Sequence, residues 1–241
     1  MGYYLTIDQG NSAAKLVLWQ GSSIVHECNF EHLDGSHIFD LASRFPVDAA
    51  IYCSVAGDGN EIVTALKQVC RQVMTLSHDT PVPVRIGYAT PRTLGKDRIA
   101  AAVGAWSMYS GRTIFVVDMG TAVTYDVVTA DGCFLGGNIA PGALMRLDAL
   151  NHFTARLPRV AIEGDTPLWG VDTETAMRSG AIYGIAAEVS YFRKKLPDDA
   201  VVVLTGYLSG KVGELLDFPV KVEPHLVTKG LNTILIYNET K

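Results

Sequence analysis

One short pattern occurs twice in this chain, roughly half its length apart. Asp8-Gln9-Gly10-Asn11-Ser12 closes the apolar run from Tyr3 to Ile7, and Asp118-Met119-Gly120-Thr121-Ala122 closes the run from Thr113 to Val117. In each copy an Asp ends a strand-like segment and a Gly permits a tight turn close to a ligand. A second strand-like segment, Ala13 to Trp19 or Ala122 to Val128, then runs back. A single Asp-x-Gly at a strand end is an ordinary turn. Two of them, each set in a hairpin, point to a duplicated unit and to two like domains facing a cleft. The boundary falls near Gly111, giving expected domains of 1–111 and 112–241. No Pro-rich or low-complexity stretch occurs there, so the join reads as a short turn.

The remaining pattern fixes the fold class. Further strand-like segments occur at Ile24 to Asn29, Ala49 to Val55 and Val84 to Tyr88. Residues 61–74 place Ile62, Val63, Leu66, Val69, Cys70 and Val73 on one helical face, and a small-residue helix is expected from Asp97 to Tyr109. In the second half, Asp131-Gly132 signals a turn before a strand from Cys133 to Ile139. Helices are expected at Gly142 to Phe153, Glu174 to Lys195, Ser209 to Leu216 and Leu226 to Tyr237, with an apolar strand from Ala200 to Thr205. A meander followed by alternating β and α segments is an α/β pattern. With 241 residues, 48% of them hydrophobic, the chain can bury one large core or two modest ones.

Several classes are set aside by composition and motif. A net charge of −5 argues against a nucleic-acid footprint. Charges or Gly and Pro interrupt every apolar run well short of the about twenty residues needed to cross a bilayer, so no membrane partner is expected. The first residues lack a basic n-region and an apolar h-region, and the four scattered cysteines form no C-x-x-C pair. Both observations lead to a cytoplasmic expectation. The six histidines show no metal-ligand spacing, and neither a G-x-x-x-x-G-K-[ST] loop nor a G-x-S-x-G elbow is present.

The two hairpins carry the chemistry. A glycine turn flanked by Asn11 and Ser12, or by Thr121 and Thr124, offers backbone N–H groups and hydroxyls to phosphate oxygens, while the Asp is suited to a hydrated cation. Lys15, three residues beyond Ser12, adds a positive charge to the same phosphates, or is a solvated lysine on an alternating strand. Gly95-Lys96-Asp97-Arg98 joins a carboxylate to a guanidinium, which suits removal of a hydroxyl proton beside an anionic group. Read alone, that tetrapeptide favours a helix N-cap at Asp97 with a surface Arg98. Asp118 alone is a turn carboxylate, Tyr88 a strand-end aromatic, and Thr173 an N-cap for the helix after Asp172.

Taken in order, Asp8 to Ser12 with Lys15, Gly95 to Arg98, Asp118 to Thr124, and Gly136-Gly137-Asn138-Ile139-Ala140-Pro141-Gly142 resemble the signatures of type III pantothenate kinases. Leu157-Pro158, Thr173 to Gly180, Leu204-Thr205-Gly206 and Leu226 to Leu231 extend the resemblance over nearly the whole chain. Two positions depart: Ser12 stands where that family usually has Thr, and Tyr207 where it usually has a second Gly. Ser12 keeps the hydroxyl, whereas Tyr207 puts a side chain where a glycine pair would let backbone approach the adenosine.

The resemblance implies an actin-like ATPase fold of two duplicated ribonuclease H-like domains. It implies ATP-dependent phosphorylation of pantothenate to 4'-phosphopantothenate, the first step of coenzyme A biosynthesis. Asp97 is then the base. Asp8, Gln9, Gly10, Asn11, Ser12, Ala13, Ala14, Lys15 and Thr121 contact ATP, which arrives with Mg²⁺. Tyr88, Gly95, Lys96, Asp97, Arg98 and Thr173 line the pantothenate pocket, with Arg98 pairing with the substrate carboxylate. Asp118 holds a monovalent cation, K⁺ or NH₄⁺. A homodimer is implied as well, with the pantothenate site completed across its interface and Thr173 the candidate for that contribution. Two other readings keep the hairpins: another small-molecule kinase of the actin-like superfamily, such as a sugar or acetate kinase, and a pantothenate-kinase-like nucleotide-binding regulator. The intact set of Asp8, Asp97, Arg98 and Asp118 weighs towards a working catalyst.

Overall fold

The computed structural model describes residues 2–55, 57 and 59–239. In chain order the first half contains β1 (Tyr3–Gln9), β2 (Ala14–Gln20), β3 (Ser23–Phe30), α1 (Gly35–Arg44), β4 (Val47–Ser54), α2 (Asn60–Val69), β5 (Gln72–Thr75), β6 (Arg85–Ile86) and α3 (Lys96–Tyr109). The second half contains β7 (Ile114–Met119), β8 (Ala122–Val128), β9 (Cys133–Pro141), α4 (Ala143–Phe153), α5 (Thr173–Arg193), β10 (Val201–Gly206), α6 (Ser209–Gly213), β11 (Lys221–Val222) and α7 (Leu226–Glu239). Among the described residues no helix is long and apolar enough to cross a membrane.

The chain divides into two units, Met1–Ser110 with Gly132–Phe134 and His225–Lys241, and Gly111–Asp131 with Leu135–Pro224. The limits drawn from sequence, 1–111 and 112–241, leave α7 in the second unit, whereas the chain brings it back to the first. The reason is steric as well as apolar. Leu226, Leu231, Ile234 and Leu235 are buried, and α7 meets α3 where both helices are bare. A Cβ on Gly104 would lie 2.3 Å from Leu226 O, and one on Gly230 would lie 1.8 Å from Ala100 O.

The first unit holds a five-stranded sheet of order β3-β2-β1-β4-β5. Its first three strands form an antiparallel meander, and β4 and β5 add in parallel. Leu5, Ile7, Leu16, Leu18, Tyr52 and the inner faces of α1 and α2 make its core. Two elements differ from expectation. Helix α2 ends at Val69 instead of continuing to residue 74, because Gln72–Thr75 pairs with β4 from Ala49↔Gln72 to Tyr52↔Thr75. Helix α1 was not among the expected elements, although Ile38 and Leu41 are buried at helical spacing; Asp34 caps it by accepting from the N–H groups of Ser36 and His37.

The second unit repeats this topology. Its strands run β11-β10-β7-β8-β9, with β7 and β8 antiparallel and β10 and β11 parallel additions. Read from the meander inwards, β9-β8-β7-β10-β11 is the same order as β3-β2-β1-β4-β5. Phe115, Val117, Tyr125, Val202 and Leu204 pack there against Ile182, Ile185 and Val189 of α5. The repeat first visible as two Asp-x-Gly turns is therefore a repeat of whole sheets, and each turn closes the first hairpin of its sheet.

Candidate active site

In the first unit, the β1–β2 turn is closed by the Gly10 N–H donating to Ala13 O at 3.0 Å. The register sets Asp8 opposite Lys15 on one side and beside Cys53 of β4 on the other. Gln9 is held from two directions: its side-chain oxygen accepts from the Tyr52 hydroxyl and its carbonyl from the Val55 N–H. Residues Gln9 to Ala14 line a hollow of about 390 Å³ together with Glu31, His32 and Leu33. Asn11, Ser12 and Ala13 are exposed at the turn. Glu31, His32 and Leu33, at the end of β3, escaped sequence reasoning because nothing local marks a strand end as lining another hairpin.

The end of β4 brings the start of α3 to the same place. Burial pushes the Cys53 thiol well above its ordinary pKa, and the Asp8 and then the Asp97 carboxylates push it further, while Lys96 opposes them. Asp8 and the adjacent Lys96 and Asp97, which lie far from it in sequence, thus act on one buried thiol. Asp97 is not the N-cap. Gly95 occupies that position without a side-chain bond, and Asp97 lies in the first helical turn, where its Oδ1 accepts from the Arg98 N–H at 2.9 Å. The positive end of the helix favours a carboxylate there. Gly95 leaves it room: a Cβ at that position would come within 2.4 Å of Asp97 Oδ1.

Arg98 is not a surface residue either; it is 5% exposed. Its guanidinium lies 5.6 Å from the centre of the Tyr88 ring and 5.7 Å from that of Phe134. Tyr88 reaches this place because β6 pairs with the start of β9 and the Gly87 N–H donates to Phe134 O at 2.9 Å. Phe134 was not singled out from sequence, where it reads as one more apolar strand residue.

In the second unit, Asp118 lies near the end of β7, opposite Thr124 of β8 and beside Thr205 of β10. The turn that follows is closed by the Gly120 N–H donating to Ala122 O, and Thr121 is exposed at its tip. Two other glycines press on it. The Gly142 N–H donates to Thr121 O at 3.0 Å, and a Cβ on Gly142 would lie 2.4 Å from the carbonyl oxygens of both Gly120 and Thr121. Gly206, at φ +88°, would carry a Cβ 2.5 Å from Met119 O. Tyr207, which follows it, is exposed. Thr173 is the exposed first residue of α5. The N-cap is its neighbour Asp172, whose carboxylate accepts from the Thr175 N–H at 2.8 Å.

Among the described residues no three His, Cys, Asp or Glu side chains cluster closely enough to form a metal cage. The donor set, one carboxylate beside a turn of backbone N–H groups, fits a divalent ion that stays largely hydrated and is carried by a triphosphate.

The family described as type III pantothenate kinase matches residues 4–195. The chain belongs to that family. The type III pantothenate kinase of Phocaeicola vulgatus is 42% identical to it over 244 residues, which span 98% of both chains. Among solved structures, a Campylobacter jejuni protein described as a Baf family transcriptional activator superposes with a TM-score of 0.63 at 22% identity, covering 98% of this type III pantothenate kinase and 100% of that chain. A Sinorhizobium meliloti protein described as a 2-dehydro-3-deoxygalactonokinase gives a TM-score of 0.61 at 14% identity over 96% and 97% of the two chains. These two likenesses establish the fold, which is the actin-like one that the resemblance implied.

Proposed function

We propose that Asp97 is the general base with which this pantothenate kinase moves the γ-phosphoryl of ATP onto the primary hydroxyl of pantothenate, giving 4'-phosphopantothenate and ADP. The observation that carries the reading is the geometry of the first unit: Asp8 beside Cys53 in the β1–β4 register, Asp97 in the first turn of α3, and Arg98 next to it, buried against Tyr88. An alcohol is a poor nucleophile at neutral pH. As its oxygen forms the bond to phosphorus and the bond to the ADP oxygen breaks, its proton passes to a carboxylate oxygen of Asp97. The Arg98 guanidinium suits the substrate carboxylate, and Tyr88 walls the pocket.

Backbone N–H groups and side chains from Asp8 to Lys15, with Thr121, hold the phosphates. Mg²⁺, when bound with ATP, neutralises charge on the transferred group. Asp118 holds K⁺ or NH₄⁺. A cytoplasmic location accords with free thiols at all four cysteines.

The chain acts as a homodimer in this reading. Support comes from an apolar groove of about 760 Å³ between α4 and α5, lined by Met145, Leu150, Phe153 and Met177, in which Phe153 is 81% exposed. Exposed apolar surface of this kind marks an interface. Helix α5 also begins at Thr173, which makes that residue a candidate to complete the pantothenate site of a second copy. Sedimentation showing only monomer at working concentration would remove the dimer.

The deciding assay is ATP consumption with and without pantothenate, at varied K⁺. Pantothenate-dependent ADP release that needs K⁺ or NH₄⁺ is expected. ATP binding with no turnover would favour a regulatory role, the reading suggested by the name of the Campylobacter jejuni protein. Asp97→Asn should lower kcat by about 10²- to 10⁴-fold, the usual span for a lost general base; near-normal turnover would refute the assignment. Asp118→Ala should abolish the monovalent-cation response.

A further inference from the structure

The contacts around Glu188 point beyond these residues. Its two carboxylate oxygens accept from Nη2 of Arg146 at 2.8 and 2.7 Å, and one of them also accepts from the Tyr125 hydroxyl. Arg146 uses its Nε to donate to Pro141 O at 2.8 Å, and its own N–H donates to Gly142 O. Helix α5 makes room for the guanidinium with Gly184, where a Cβ would come within 3.0 Å of Nη1. One carboxylate on α5 therefore ties together β8, through Tyr125, and the Pro141–Gly142 peptide that opens α4. That peptide is the one whose Gly142 N–H holds Thr121 O.

We infer that Glu188, acting through Arg146 and Tyr125, is a positioning residue that holds the Gly120–Thr121 turn in its phosphate-binding shape. The ATP part of this inference rests on the role given to Thr121 above; the clamp itself does not. None of the three side chains needs to touch a ligand. Their work is to keep the Gly142 backbone seated against the turn, so that Thr121 stays exposed at its tip. Charge-assisted bonds are the stronger kind, and two of the three that Glu188 accepts come from a guanidinium.

The test has two readouts. Hydrogen exchange at the Gly142 amide should rise about tenfold or more in Arg146→Ala and in Glu188→Gln, as loss of one charged bond predicts. In the same variants the KM for ATP should rise by about the same factor, with the KM for pantothenate within about twofold. Arg146→Lys, which still reaches Glu188 but has no second arm for Pro141, should fall between. Circular dichroism and melting curves identify any variant that is globally unfolded; Tyr125→Phe, which removes one hydroxyl, then serves as the milder probe. Unchanged exchange at Gly142 in the folded variants overturns the inference. Faster exchange with an unchanged ATP KM supports the clamp and overturns the placement of ATP at Thr121.

Discussion

The guanidinium of Arg98 lies 5.6 Å from the centre of the Tyr88 ring, and the arginine itself is almost wholly buried. A second ring, Phe134, stands 5.7 Å away. Two aromatic faces fix the plane of the fork, so Arg98 presents its donors in one direction. Lysine at this position keeps the charge and loses the plane. Arg98→Lys is expected to raise the KM for pantothenate by about ten- to a hundredfold, in the range for a charged, bidentate contact, while the KM for ATP stays within about twofold. Steady-state kinetics with each substrate varied in turn check this. Equal rises in both constants would detach Arg98 from pantothenate.

Helix α7 returns to the first unit through a crossing that only glycine permits. A Cβ on Gly230 would overlap the Ala100 carbonyl oxygen, at 1.8 Å. On propensity alone, Gly→Ala within a helix stabilises by about 1 kcal/mol. Here overpacking against backbone wins, and Gly230→Ala is expected to destabilise by about 3 kcal/mol. Urea unfolding reads the sign directly, and a variant more stable than the parent would show that α3 and α7 do not meet as described.

How far the sequence could be read depended on the distance over which each feature is decided. The two hairpins were legible because a strand, an Asp, a Gly and a returning strand are adjacent in the chain. Helix α1 was not, since Asp34, Gly35 and Ser36 resemble a loop until the cap is seen. The stretch after Val69 kept helical spacing through Val73 by coincidence, and pairing with β4 overrode it. Arg98 looked like a surface residue because its aromatic neighbours come from two other segments. Likewise the pattern of α7 announced a helix but not its partner, which two glycines on different helices determine.

The clamp around Glu188 has a pH signature. Burial alone would raise this carboxyl, but hydrogen bonds from Arg146 and Tyr125 outweigh it and hold the pKa below the ordinary glutamate value. A group depressed in the folded state contributes stability above its unfolded pKa, and that contribution is lost as pH falls through the folded value. The melting temperature of the parent should therefore exceed that of Glu188→Gln at neutral pH, with the gap closing on acidification. A gap that stays constant through the acid range would mean that the charge of Glu188 is not what the fold uses.

The four cysteines should differ sharply in reactivity, because three of them, Cys53, Cys70 and Cys133, are buried. Burial, with a smaller push from Asp48, lifts the Cys70 thiol to about 11, and burial lifts Cys53 well above its ordinary value. A thiol is attacked as its thiolate, so both depth and raised pKa slow these groups. Cys28 is different: it lies on the outer strand β3, is partly exposed, and has its Sγ 3.1 Å from His26 Nε2. A disulfide reagent at mildly alkaline pH should therefore titrate Cys28 rapidly in the native protein, and all four thiols only after urea is added. Cys28→Ser should abolish the rapid phase. If that phase survived the substitution, one of the buried sites would open on the timescale of the reaction, and the burial of its cysteine would not protect it.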